Sequence, residues 1–163
     1  MTYHEVVARI LGLLTAENCW HETFEHEPVR TSEEAARTRP GYTLHQGAKA
    51  MIVKAKGPET RFVMLVLPAD LRFDNAKVKA ALKAKDVRFA SEQEVVELTG
   101  GVLPGAVPPF GNLFNLQAVA DPSLFENERI VFNAGDRSFS VAMRSDDYKR
   151  VAAPQITAFA SQS

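Results

Sequence analysis

The sequence predicts an α+β fold: a mixed, largely antiparallel sheet curled as a partial barrel, with short helices around it. Short strand-like and helix-like runs interleave along the 163 residues without the regular βαβ alternation of a doubly wound sheet. Two neighbouring β-rich runs, 48–56 and 61–67, are joined by Lys56-Gly57-Pro58-Glu59-Thr60 and read as a hairpin, the local mark of antiparallel pairing. Composition is that of an ordinary globular chain, 45% hydrophobic and 24% charged. One domain spanning 1–163 is expected, long enough to bury about 70% of its unfolded surface.

The elements follow in order. Val6, Val7, Ile10, Leu11 and Leu14 recur at helical spacing and predict a helix from about Thr2 to Ala16. Trp20 to Phe24 alternates like a strand that Pro28 breaks. In Thr31-Ser32-Glu33-Glu34-Ala35-Ala36 either hydroxyl can cap a short helix, and the glutamates favour its positive end; Pro40-Gly41 stops it. After the hairpin, Asp74 or Asn75 caps a helix to about Leu82, and Val87 to Ala90 is a short strand. Ser91-Glu92-Gln93-Glu94 is a capping-box pattern whose helix reaches Leu98 and stops at Gly100-Gly101. Strands are expected at 115–120, 129–133 and 138–144, with Asn133-Ala134-Gly135-Asp136 as the last turn. Ser145-Asp146-Asp147 opens a final helix that Pro154 ends, and the last residues are expected to fray.

A net charge of −1 and a pI near 6.4 argue against a protein that coats nucleic acid, though they leave room for a local basic cleft. Cys19 is the only cysteine, which rules out an intrachain disulfide and a cysteine metal cluster. His4, His21, His26 and His45 show no ligand spacing, so no metal and no cofactor are expected. There is no signal peptide and no apolar run near membrane-spanning length, so a cytoplasmic protein without membrane contact is expected.

Two features stand out chemically. Lys49 lies in the apolar run Gln46-Gly47-Ala48-Lys49-Ala50-Met51-Ile52-Val53, where burial disfavours its charge and an ammonium acts strongly on a neighbouring carbonyl or phosphate. The plainer alternative is a lysine that snorkels to solvent. Residues 100–111 hold four glycines and three prolines in twelve positions, a shaped loop with exposed backbone N–H groups or simply a helix-to-strand connection. The basic residues Lys77, Lys79, Lys83, Lys85 and Arg88, with Lys54, Lys56 and Arg61 near the hairpin, form either a solvated face or an RNA backbone contact.

Several segments resemble the YbaK/ProX family, aminoacyl-tRNA deacylases related to the editing domain inserted in bacterial prolyl-tRNA synthetase. They are Thr31 to Ala36, Gln46 to Ala50, Arg88-Phe89-Ala90-Ser91-Glu92-Gln93-Glu94-Val95 and Gly105-Ala106-Val107-Pro108-Pro109, in the family's order along about residues 20–155. Leu98-Thr99-Gly100, Ala106 to Phe110, Val119 to Glu126 and Phe132-Asn133-Ala134-Gly135 resemble the YeaK-like branch associated with Ser- and Thr-charged tRNA. Relatives acting on Cys-tRNA can carry an acidic residue after the Gly135 turn; here the strand reads Ser138-Phe139-Ser140-Val141-Ala142, a departure that counts against a Cys-specific pocket.

The resemblance implies a trans-editing deacylase that hydrolyses the ester of mischarged tRNA, with Ser or Thr preferred, then Ala, then Cys. Such an activated ester requires fixed placement, a water and oxyanion stabilisation rather than a metal. Lys49 is the expected catalytic cation. The N–H groups of Gly105, Ala106 and Val107 are expected to bind the terminal adenosine or the oxyanion, while Pro108 and Pro109 hold the loop and donate nothing. The substrate's 2′-hydroxyl is implied to help place the water. Thr31 is a cap or a contact to the aminoacyl group, and His45 and His26 are proton carriers or packed residues. Ser140 is a partner for a substrate hydroxyl or an ordinary strand serine, and Asn133 and Gly135 are candidates for the pocket floor. The expected partner is the acceptor end of aminoacyl-tRNA, with a synthetase or elongation factor delivering it and no DNA. A binding module that does not hydrolyse the ester, and a hydrolase of another small ester or amide, remain the alternatives.

Overall fold

The computed structural model describes residues 2–29 and 31–162. Among these residues, ten strands and five α-helices follow the order expected of an α+β chain. Helix α1 (Glu5–Ala16) is capped by His4, whose Nδ1 accepts the Val6 N–H at 3.1 Å, and it buries Val6, Val7, Ile10 and Leu14. Strand β1 (His21–Glu25) leads to α2 (Ser32–Arg37), where Thr31 accepts the Glu34 N–H at 3.1 Å and acts as the cap. The hydroxyl of Ser32, the alternative cap, lies outside the described side chains. A 3-10 turn (Leu44–Gln46) precedes β2 (Ala48–Lys56) and β3 (Arg61–Pro68), which pair antiparallel as the hairpin predicts.

Next come β4 (Leu71–Phe73), α3 (Asn75–Leu82), β5 (Asp86–Phe89) and α4 (Glu92–Thr99). Asp74 caps α3, and Ser91 with Glu94 forms the expected reciprocal box on α4, which Gly100 ends at φ +73°. Beyond the Gly/Pro loop lie β6 (Gln117–Ala120), a 3-10 segment (Pro122–Glu126), β7 (Arg129–Asp136), β8 (Phe139–Arg144) and α5 (Ser145–Ala152). Strands β9 (Gln155–Ile156) and β10 (Ala160–Gln162) close the described chain.

The strands form a five-stranded sheet ordered β5-β2-β3-β6-β9, a three-stranded sheet ordered β1-β8-β7 and the pair β10-β4. Pairing is antiparallel except at β3-β6 and β6-β9. A parallel bridge between Gly47 and Val131 joins the two larger sheets, so the surface curls into a partial barrel and does not close. One apolar core packs α1 and α5 against both sheets, with Ile10, Leu14, Phe110, Phe132 and Tyr148 fully buried. A second core on the far face of β2 and β3 gathers Val53, Leu65, Val78 and Phe159.

Two expectations are corrected. Asn133-Ala134-Gly135-Asp136 is not the turn: β7 runs through it, the register shifts between Asn133 and Asp136, and the chain reverses at Arg137-Ser138. A β-bulge accommodates the extra residues there, with Gly135 at φ +109°. The C-terminal segment is not frayed either. Phe159 is fully buried, and the Asp121 carboxylate accepts the Phe159 and Ala160 N–H groups at 2.8 and 2.9 Å.

Candidate active site

Four separate segments meet around one open cavity of about 150 Å³ beside the bridge at Gly47. Helix α2 and the residues flanking it supply Thr31, Ala35 and Arg39; the start of β2 supplies Lys49; the loop supplies Gly105 and Val107; and β7 supplies Asn133. Lys49 is half-buried. Burial pushes its pKa below the ordinary lysine value, and the Glu33 carboxylate partly restores it. An ammonium so placed is partly desolvated, which strengthens its pull on a bound carbonyl or phosphate.

The loop is held by side chains from three other segments. Gly105 takes φ +87°, a left-handed conformation that glycine adopts without strain. Asn133 Nδ2 donates to Gly105 O at 2.9 Å, Arg137 donates to Pro104 O at 2.6 Å, and the buried Tyr148 hydroxyl donates to Pro109 O at 2.6 Å. The three candidate N–H groups are not equivalent. That of Ala106 is spent on Leu103 O at 3.0 Å, and Ala106 is buried away from the cavity. Those of Gly105 and Val107 have no partner among the described residues, and both residues line the cavity.

Arg39 is the residue that sequence reasoning missed. It is only 6% exposed, and burial pushes its guanidinium down to about 10. Its Nε donates to Ser140 Oγ at 3.0 Å and its Nη2 to Asn133 Oδ1 at 2.9 Å, with no carboxylate partner among the described residues. Its remaining N–H groups are set in the cavity wall. Ser140 is fully buried behind it, and His26 Nε2 lies 2.8 Å from the same hydroxyl. His26 Nδ1 sits 2.8 Å from the Glu27 carbonyl, which only accepts, so Nδ1 carries a proton, and the Ser140 hydroxyl also donates to Asn133 Oδ1 at 3.2 Å. A polar chain, buried at Ser140 and Arg39, thus runs from His26 through these residues and Asn133 to the loop.

Other candidates stand off the cavity. His45 is clamped outside it, with Nδ1 2.8 Å from Asp70 and Nε2 3.1 Å from Glu126. Burial lowers its pKa, but hydrogen bonds to both carboxylates raise it more, and the net shift is upward. Pro108 and Pro109 are buried and brace the loop. Gly135 faces α1: an added Cβ would lie 3.0 Å from the Val6 side chain, and its N–H donates to Ala106 O at 2.8 Å. Among the basic residues, Arg88 is committed to Glu94 at 2.8 Å, while Lys83 and Lys85 are exposed. No group of acidic, histidine or cysteine side chains among the described residues has the geometry to hold a metal, and no described helix is long and apolar enough to cross a membrane.

The arrangement offers two cations and two unpaired N–H donors to one small cavity, a setting for stabilising negative charge on a bound acyl group. Comparison with known proteins agrees in placing the chain. A family model described as the aminoacyl-tRNA editing domain matches residues 26–151. The multifunctional Ser/Thr-tRNA deacylase ProXp-y of Escherichia coli K12 is 39% identical over 153 residues, covering 93% of this chain and 90% of that protein. The proline–tRNA ligase of Bacillus licheniformis is 38% identical over 97 residues, 59% of this chain but 16% of the ligase. A solved structure of a proposed trans-editing enzyme for prolyl tRNA synthetase superposes with a TM-score of 0.82 at 21% identity, covering 98% of this chain and 99% of that one. Another, of a hypothetical protein, gives 0.82 at 23% identity over 94% and 99%. At such identities the two solved structures speak to the fold, which is shared end to end. Family model and full-length likeness together show that the chain belongs to the aminoacyl-tRNA editing domain family.

Proposed function

We propose that the protein is a trans-editing aminoacyl-tRNA deacylase acting on tRNA mischarged with a small amino acid, Ser or Thr first. The observation that carries the reading is the convergence of the Lys49 ammonium and the unpartnered Gly105 and Val107 N–H groups on one cavity. The ester carbonyl oxygen receives the N–H groups, and Lys49 lies against the carbonyl or the terminal phosphate. Water, placed with the help of the substrate's own 2′-hydroxyl, adds to the carbonyl carbon. The tetrahedral oxyanion is stabilised by those donors and by Lys49, the bond to the ribose 3′-oxygen breaks, and that oxygen takes a proton. The products are the free amino acid and intact tRNA. No step draws on a cofactor.

The size of the cavity suits a small side chain. Thr31 accepts the Glu34 N–H with its oxygen and so keeps its hydroxyl proton for an aminoacyl group, and Arg39 offers further donors. The likeness to a Ser/Thr-tRNA deacylase supports hydroxyl side chains. Size exclusion is the stronger filter, since one methyl group discriminates by only about 1–3 kcal/mol. The chain acts as one domain in the cytoplasm, with a synthetase or elongation factor as the source of charged tRNA.

The experiment is a deacylation panel with Ser-, Thr-, Ala- and Cys-charged tRNAs and Lys49→Ala alongside. Rapid, Lys49-dependent loss of the Ser or Thr ester is expected. Retained binding of charged tRNA without hydrolysis of any ester would replace this reading with that of a binding module.

A further inference from the structure

The walls of the Lys49 cavity carry positive charge that no neighbouring acid balances. Arg39 is 6% exposed, and its two hydrogen bonds go to neutral groups, Ser140 Oγ and Asn133 Oδ1. A guanidinium has five N–H donors, so three remain beyond those bonds. Lys49 adds a second cation, and among the described residues no acidic side chain lines the cavity. The Glu33 carboxylate that acts on Lys49 is exposed on α2 and does not line it. Buried charges are as a rule paired, yet these two like charges share one cavity with no carboxylate in its described wall.

The cations also face the same way. Arg39 Nη1 lies 3.8 Å from where a Cβ on Gly47 would sit. Gly47 and Lys49 are alternate residues of one extended run, so they face one side of it, about 7 Å apart. The loop adds the Gly105 and Val107 N–H groups, which have no partner among the described residues.

This donor set fits a carboxylate better than an ester. The ester of an aminoacyl-tRNA brings a neutral carbonyl. Hydrolysis turns that group into a carboxylate, whose full negative charge is shared by two oxygens that accept charge-assisted bonds. A cavity of about 150 Å³ holds a molecule the size of benzene, and a three-carbon acid is of that size. The α-ammonium of serine is repelled by the two cations; glycerate, with a hydroxyl in its place, is not.

We propose that this cavity is a carboxylate site for small free 2-hydroxy and 2-amino acids, which compete with the aminoacyl ester and slow deacylation. The link to editing rests on the deacylase reading; the binding of the acid does not. An amino acid released by the reaction thereby restrains the next turnover.

Two measurements on the full chain test this. Amide NMR at constant ionic strength reads binding at Gly105 and Val107, and the same spectra report whether each variant folds. Sodium glycerate should shift both amides in the millimolar range, and L-serine should need about ten times more. L-Serinamide, a cation with no carboxylate, and sodium chloride should shift neither. Arg39→Met and Lys49→Met should each weaken glycerate binding by about 10- to 100-fold, the loss of a charged hydrogen bond. In deacylation of seryl-tRNA, glycerate should raise KM and leave kcat unchanged. Glycerate binding no tighter than chloride, or equal in the wild type and both variants, would overturn the carboxylate site. So would a KM indifferent to saturating glycerate, and an enzyme that still deacylates in these cases leaves the deacylase reading standing. Glycerate binding by a protein that hydrolyses none of the esters would uphold the site and remove the deacylase reading instead.

Discussion

Replacing Arg39 by methionine separates what supports the cavity wall from what acts in it. The guanidinium lowered from 12.5 to about 10 records a burial cost of roughly 3 kcal/mol at about 1.4 kcal/mol per pKa step. Its two hydrogen bonds, to Ser140 and Asn133, return about 1.5–3 kcal/mol each as bonds from a charged donor. The net contribution is therefore between zero and about 3 kcal/mol, and methionine regains part of it by filling the same space with apolar atoms. Neither partner is orphaned, because Ser140 retains His26 and Asn133, and Asn133 still donates to Gly105. The expected loss of stability is below about 2 kcal/mol, a fall in Tm of less than about 8 °C for a chain of this size. Single-turnover deacylation of seryl-tRNA should fall further, by about 100-fold, the usual effect of removing one donor from an oxyanion environment. Calorimetry and quenched deacylation on the same preparation decide it. A Tm drop above about 12 °C with near-normal turnover of the remaining folded protein would refute the reasoning and make Arg39 a structural strut.

Three further outcomes are expected. Lys49→Ala should cut deacylation by about 100- to 1,000-fold with little change in Tm; because burial lowers the lysine pKa, the Lys49-dependent part of the rate should fade with rising pH below the usual lysine value, as a rate–pH profile of the two proteins would reveal. Tyr148→Phe leaves Pro109 O without its buried donor and should cost about 1–3 kcal/mol in urea unfolding, with a higher KM as the loop loosens. The His45 pKa is raised on folding, so its clamp contributes fully below the unfolded value near 6.5 and is lost as pH rises through the folded value; His45→Gln should flatten that part of the stability–pH curve and leave deacylation chemistry intact.

Local signals were the legible ones. Thr31, Asp74 and Ser91 announce helices because a capping side chain acts within three residues, and the β2–β3 hairpin shows because its partners are neighbours in sequence. Strands β4, β9 and β10 are two or three residues long and exist through distant partners, which no local pattern encodes. Gly135 reads as a turn glycine because a bulge and a turn make the same demand for positive φ. In the site, Lys49 was legible as a charge among apolar residues. Arg39 was not: Arg37-Thr38-Arg39-Pro40 has the look of a solvated connection, and only the closure of β8 over it turns one of the two arginines inward. Likewise the Ala106 N–H looked available until the loop's own turn claimed it.

The pairing of β1 with β8 has a consequence for how the chain is made. His21 and Met143 are partners about 120 residues apart, and among the described strands β1 pairs with no other. During synthesis at about 5–20 residues per second, β1 must wait roughly 6–24 seconds for β8 to be made. In that interval Thr23 and Phe24 sit on an unpaired strand whose edges will accept any other extended segment. The most hazardous moment in the life of this protein therefore falls on the ribosome, before the cavity exists, and a holdase that covers residues 21–25 there should raise the yield of active protein more than one added after release.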